Sequence, residues 1–276
     1  MRSELLISYF SFLVKNMILI ITGQQRSGTT MLRYLCHQHP EMAVTHEFSN
    51  FAFLGRPYPE YARLLWQYSQ TVKGDWGFVK SYRNQRQNHL HNWLVTARYL
   101  YHVRRNCQAE VKLAVAEKAM RRLFRGTAVV GDKLPQYRNQ LADFLPHPNV
   151  RCLLIYRDCR DVVSSFLYKN RTDWQGQEWT KRWDSATKIA RRWVQDIQQM
   201  ERLSGQAHMI CYEKLIQQPD SQLPALAEWL GVSATGFEVK MLERQSIGKY
   251  KEGLTAAELA EVMNVAGPTM ERLGYV

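Results

Sequence analysis

Apolar residues fall along the chain in two rhythms. Short continuous runs occur at residues 17–22 (MILIIT), 42–45, 127–131 (TAVVG), 150–156 (VRCLLIY) and 208–212 (HMICY). Runs of this length, rich in β-branched residues, predict strands buried on both faces. Between them the apolar spacing lengthens to three and four residues, the helical period. A helix is expected at 31–37, directly after the first strand. Another, from about 179 to 203, carries Trp183, Ala186, Ala190, Trp193, Ile197 and Met200 on one stripe, which makes its tryptophans packing residues. A short amphipathic helix at 221–230 closes at Gly231. Strands alternating with helices predict an α/β fold, with a central, mainly parallel sheet of about five strands flanked by helices. With no repeat, low-complexity tract or linker in view, residues 17–276 are expected to form one domain. It would carry a basic helical insertion around 55–126 and follow an extension at 1–16.

That extension contains an apolar run at 5–14, broken by Ser8 and Ser11 and ended by Lys15 and Asn16. It is shorter than the roughly 18–20 residues that cross a bilayer and has no small-residue cleavage site. No stable membrane span is therefore expected. A short packing helix and an upstream start, with Met17 as initiator, both fit.

Charge changes the picture more than composition does. The 276 residues carry a formal net charge of +12, with a pI near 9.5. Such an excess serves solubility or an anionic partner. It is concentrated between 81 and 125, where Arg83, Arg86, Arg98, Arg104, Arg105, Lys112, Lys118, Arg121, Arg122 and Arg125 face only Glu110 and Glu117. Tyr82, His89, His91, Trp93, Tyr99, Tyr101 and His102 are interleaved with them, as on a solvated helix with an aromatic inner side or a basic cover over a site. The five cysteines, Cys36, Cys107, Cys152, Cys159 and Cys211, are scattered and odd in number. They form neither a disulfide framework nor a zinc motif, and they fit a reducing, cytoplasmic setting.

The most specific local signal follows the first strand: Gly23, Gln24, Gln25, Arg26, Ser27, Gly28, Thr29 and Thr30 lead into a helix. Two glycines five apart between strand and helix make a loop whose N–H groups converge on an anion at the helix N-terminus. The spacing mimics the nucleotide-binding P-loop, but Thr29 stands where that loop has its lysine, and the cation has moved to Arg26. No strand ends in an obvious Walker-B aspartate. Arg157 instead ends the fourth strand, which suits an anion better than a metal.

At these residues the chain resembles the sulfotransferases that use 3′-phosphoadenosine 5′-phosphosulfate (PAPS). Arg26-Ser27-Gly28-Thr29-Thr30 matches their 5′-phosphosulfate loop, with Gln25 beside it. Arg157, and Ser165 eight residues on at the start of the next helix, match their 3′-phosphate pair. A forked guanidinium and a hydroxyl suit a dianionic phosphate. Weaker likenesses run in the same order. Gly131-Asp132-Lys133-Leu134-Pro135 resembles the lysine-bearing segment of bacterial and Golgi-type members. Tyr212-Glu213-Lys214-Leu215 resembles the Y-E-x-L segment, and Ser246 to Lys251 the nucleotide-covering loop.

The resemblance implies a P-loop-like sulfotransferase fold and transfer of a sulfuryl group from PAPS to a hydroxyl or amine, releasing 3′-phosphoadenosine 5′-phosphate without a metal. It gives Arg26 and Lys133 to the leaving group and the transferring SO₃ group. For the acceptor proton it offers Glu47, seven residues after Pro40 as in tyrosylprotein sulfotransferases, with His46 as competitor. The acceptor, whether glycan, lipid, peptide or small metabolite, is not written in the sequence. Two other classes stand beside this reading. A nucleic-acid-binding module explains the basic stretch but not the loop, so no nucleic-acid partner is expected. A P-loop kinase explains the loop but not Thr29.

Overall fold

The protein is described by a computed structural model covering residues 16–71, 89–203, 205–242 and 246–276. The apolar run at 5–14, Tyr82, Arg83 and Arg86 lie outside the described residues, as do the side chains of His89 and His91. Five strands, β1 (Met17–Gly23), β2 (Met42–His46), β3 (Val129–Lys133), β4 (Val150–Tyr156) and β5 (His208–Cys211), form one sheet in the order β2-β3-β1-β4-β5. The pairings are parallel, so the expected α/β architecture stands. The longer helices are α1 (Thr29–Gln38), α2 (Tyr58–Thr71), α3 (His89–Asn106), α4 (Leu113–Leu123), α5 (Cys159–Arg171), α6 (Ala186–Arg202), α7 (Pro219–Leu230) and α8 (Ala256–Arg272).

Several expected boundaries move. The third strand lies two residues later than its apolar run, because pairing with both neighbours continues through Asp132 and Lys133. The fifth ends at Cys211, and Tyr212 opens a helical turn, Tyr212–Gln217. The helix expected from 179 to 203 is two pieces: a 3₁₀ turn at Glu178–Trp183, then α6 behind Ser185. The Ser185 hydroxyl accepts the Lys188 N–H, and this N-cap starts the helix afresh and drops Trp183 from the stripe.

The chain divides into two compact units. The first comprises Met1–Thr22, Thr30–Cys152 and Leu223–Glu238. Here β3 lies between β1 and β2, and Lys133 is in register with both Ile21 and His46. Gly131 has no room for a side chain, since a Cβ would run into the Leu19 carbonyl of β1. Asp132, fully buried, turns its carboxylate to four donors: Thr45 Oγ1 at 2.6 Å, Tyr137 Oη at 2.7 Å, and the backbone N–H groups of Phe48 at 3.1 Å and Ser49 at 2.9 Å. Burial raises the Asp132 pKa, and those hydrogen bonds oppose the rise. The strand therefore carries an aspartate one residue before its end at Lys133, which the apolar run alone conceals. Its oxygens are committed to the fold.

The second unit comprises Gly23–Thr29, Leu153–Gln222 and Val239–Val276. It pairs β4 with β5 and packs α5, α6 and α8 together. Trp193 is buried, as the stripe predicts, and its indole N–H also donates to the Arg157 carbonyl at 2.8 Å.

Asp132→Asn should lower the unfolding free energy by at least about 3 kcal/mol, measured by urea denaturation. An amide can satisfy only part of the donor set and turns an N–H₂ group against backbone N–H groups.

Candidate functional site

The loop after β1 belongs to the second unit. Its backbone has positive φ at Arg26 (74°) and Gly28 (94°), the turn-like alternation that gathers N–H groups into an anion nest. Gly28 is sterically required: a Cβ there would approach Tyr212 Cδ2 to 2.5 Å. Ser27 is wholly buried, yet its hydroxyl has no partner among the described residues, and neither does Oε1 of buried Gln24. Orphaned buried polar atoms inside a phosphate-type loop fit a bound anion that completes them. Thr29 is buried at the start of α1, whereas Gln25 and Thr30 are partly exposed.

The expected cofactor residues of this unit come together around two arginines. Arg26 Nε donates to Ser165 Oγ at 2.9 Å, joining the loop to α5. Burial, and then the neighbouring Arg157 charge, lower the Arg26 pKa. The Arg157 guanidinium pairs with Asp161 at 3.0 Å and donates to the Arg26 carbonyl at 3.4 Å and to the Ser246 carbonyl. It also lies 4.7 Å over the Tyr212 ring. Ser165 is not at the start of its helix as expected; α5 begins at Cys159, and the hydroxyl sits in the second turn. The sequence reading also passed over Asp161. Its carboxylate accepts the Gly248 N–H at 2.8 Å and the Tyr250 N–H at 3.0 Å, which fixes the segment after Ser246. Asp161 lies in the first turn of α5, four residues after Arg157, which precedes the N-cap Asp158. Lys251, in the turn Tyr250–Gly253, is exposed.

The proton-handling candidates lie in the first unit. The Glu47 N–H donates to the Lys133 carbonyl at 2.8 Å, and Lys133 Nζ donates to Glu47 Oε1 at 2.7 Å. The pair is asymmetric: the lysine side chain is 1% exposed and the glutamate 30%. Burial lowers the Lys133 pKa, and Glu47 works against that. Glu47 and Ser49 both have positive φ, at 58° and 62°. This is a costly backbone for residues with side chains. The Asp132 carboxylate pins the turn by accepting the Phe48 and Ser49 N–H groups. His46 Nε2 is 3.7 Å from Glu47 Oε1. Burial, then the charges of Lys133 and Arg33, hold the His46 pKa well below the usual 6.5.

Comparison with known proteins bears on the same residues. A model of the sulfotransferase family matches residues 19–236. The chain belongs to the sulfotransferase family. Solved structures share the fold. The sulfotransferase domain of the Synechococcus PCC 7002 olefin synthase superposes with a TM-score of 0.56 at 15% identity, over 92% of this chain and 94% of that one. The sulfotransferase domain of the curacin biosynthetic pathway gives 0.55 at 16%, over 92% and 97%. Sulfotransferase STF9 from Mycobacterium avium gives 0.50 at 13%, over 95% and 78%. No curated protein matches the sequence. The loop and the Arg157 segment of this sulfotransferase both fall inside the matched span.

The depressed His46 pKa sets a direction for stability. The unfolded chain takes up a proton at His46 near pH 6.5, whereas the folded protein resists it. Stability is full above that pH and falls as the pH drops through it toward the folded pKa. His46→Asn should remove part of that slope in urea melts compared at about pH 7.5 and 5.5. His102 and His208, also depressed, leave a remainder.

Proposed function

We propose that this sulfotransferase uses PAPS as donor and transfers its sulfuryl group to a hydroxyl or amine. The observation that carries the proposal is the joining of Arg26, Ser165 and Arg157 at a loop whose buried Ser27 hydroxyl has no partner among the described residues. When bound, the donor supplies an activated sulfuryl group on a phosphate leaving group; everything else is asked of the chain. Gln25, Ser27, Gly28, Thr29 and Thr30 hold the 5′ side through N–H groups and hydroxyls. Arg157 and Ser165 hold the 3′-phosphate by a charge-assisted pair and a hydroxyl. Tyr212, with the arginine stacked on it, and the segment from Ser246 to Lys251 border the nucleotide. Arg26 and Lys133 present preorganised positive charge to the leaving group.

Glu47 takes the acceptor proton. Its carboxylate is held by Lys133 Nζ at 2.7 Å and is 30% exposed, so an oxygen stays open to an acceptor hydroxyl or amine. His46 is the weaker candidate, because its surroundings depress its basicity. The five free cysteines support a cytoplasmic setting. Among the described residues no helix is long and apolar enough to cross a membrane.

The donor assignment is tested by thermal shift. Adenosine 3′,5′-bisphosphate should stabilise the protein far more than ATP with magnesium, by about 2.7 kcal/mol at 100-fold over its Kd. Arg157→Ala should abolish the difference. Equal shifts with ATP would overturn the donor.

The base is tested by turnover. Glu47→Gln should retain the bisphosphate-induced shift and lose at least about a hundredfold in kcat, with His46→Ala losing less. Full activity in Glu47→Gln with a dead His46→Ala would reverse the assignment.

A further inference from the structure

Half of the chain's net charge of +12 comes from residues 89–126, where eight cations meet two acids. The structure gathers several of them on one face of the first unit. The outer side of α3 exposes Arg98 and Arg105, and α4, packed against α3, adds Lys118, Arg122 and Arg125. His102 lies among them. Burial lowers its pKa, and the charges of Arg98, Arg122, Arg105 and Arg125 push it further the same way. Glu117 does not neutralise these residues, because it is held by Arg121 at 2.8 Å and by Asn149 at 3.0 Å. Lys118, Arg121, Arg122 and Arg125 also border an open basin of about 470 Å³ together with Asn16. Arg121 is spent on Glu117 and on the Met17 and Ala128 carbonyls, and the exposed Arg98, Lys118, Arg122 and Arg125 are left repelling one another.

The same helix exposes apolar surface. Trp93 is 44% exposed, Leu94 63% and Tyr101 55%, and Trp66 of α2 meets Trp93 at a ring distance of 6.1 Å. Leu94, Arg98, Tyr101 and Arg105 follow one another at helical spacing on a single stripe. Arg105 caps it, donating to Tyr101 Oη at 3.1 Å. Tryptophan, leucine and tyrosine flanked by arginines is the composition of a helix lying in a membrane interface. There the rings enter the headgroup layer and the guanidiniums meet lipid phosphates.

We infer that the outer face of α3 and α4 docks on an anionic lipid bilayer, with Trp93, Leu94 and Tyr101 entering the interface. Arg98, Arg105, Lys118, Arg122 and Arg125 engage the acidic headgroups, and the basin beside Asn16 offers a place for one headgroup phosphate. The complementary charge is the reason for choosing an acidic surface. The exposed apolar stripe is the reason for choosing lipid over an acidic protein, which would need only the cations. The inference is independent of the donor assignment.

The test is co-sedimentation of the full chain with phosphatidylcholine vesicles, with and without phosphatidylserine. The protein should bind only the phosphatidylserine vesicles at about 0.1 M salt and leave them near 0.5 M, as screening shortens the reach of its charges. The triple variant Arg98→Gln, Arg122→Gln, Arg125→Gln should partition about a hundredfold more weakly, at about fivefold per charge. Brominated lipid should quench emission in the native protein more than in Trp93→Phe. Both variants change exposed residues, so unchanged melting curves and an unchanged bisphosphate response would verify their folding. Failure to bind vesicles, binding indifferent to the three arginines, or adsorption without quenching at Trp93 would overturn the inference. So would binding to polyglutamate in place of vesicles, which would make the face a surface for an acidic protein.

Discussion

The first unit depends on one buried carboxylate. Asp132 lies on the central strand of three, where a lone charge is costly, and it is tolerated because four donors converge on it. Two of those donors belong to a turn whose backbone has positive φ at Glu47 and Ser49. The carboxylate thus holds in place a conformation that the turn's own residues disfavour. Glu47 is aimed by that turn, and Lys133, the residue after Asp132, meets it from β3. One buried carboxylate therefore helps to position both members of the Glu47–Lys133 pair.

The second unit solves a related problem with the opposite charge. Arg157 has little exposed surface and spreads its charge over Asp161, two backbone carbonyls and the Tyr212 ring. Asp161 then repeats on Gly248 and Tyr250 what Asp132 does for Phe48 and Ser49, accepting backbone N–H groups from a distant segment. In both units a carboxylate next to a candidate cation ties down a loop. The cations are held before any ligand arrives, so binding would have little side-chain ordering left to do.

The sheet was legible because buried parallel strands leave continuous apolar runs, and four of the five runs give a strand within a residue of its bounds. The third was displaced because Asp132 and Lys133 are polar residues inside a strand, made tolerable only by partners that come from elsewhere in the chain. Periodicity also ran through Ser185, since a stripe of apolar residues does not register that a short hydroxyl has capped a new helix. In the site, the loop and Arg157 were readable as local motifs. The contact of Arg26 with Ser165 was not, because it spans 139 positions and depends on how α5 is turned. The basic stretch was visible as composition. Its division into an exposed face and inward partners, such as Arg121 on the Met17 and Ala128 carbonyls, is set by tertiary contacts that composition does not carry.

The Glu47–Lys133 pair also bears on how proton removal and leaving-group departure are timed in the proposed reaction. Burial lowers the Lys133 pKa, and the paired Glu47 carboxylate at 2.7 Å works against that. If Glu47 takes the acceptor proton as proposed, the ammonium loses its hydrogen-bonded counter-charge, with Asp132 remaining as a second negative charge. In a poorly solvated setting an uncompensated cation attracts developing negative charge far more strongly than a paired one. The acid–base step and the electrostatic step would thereby be coupled through one 2.7 Å contact. His46 could not provide this coupling, because protonation would give it a positive charge, which would repel Lys133 instead of releasing it.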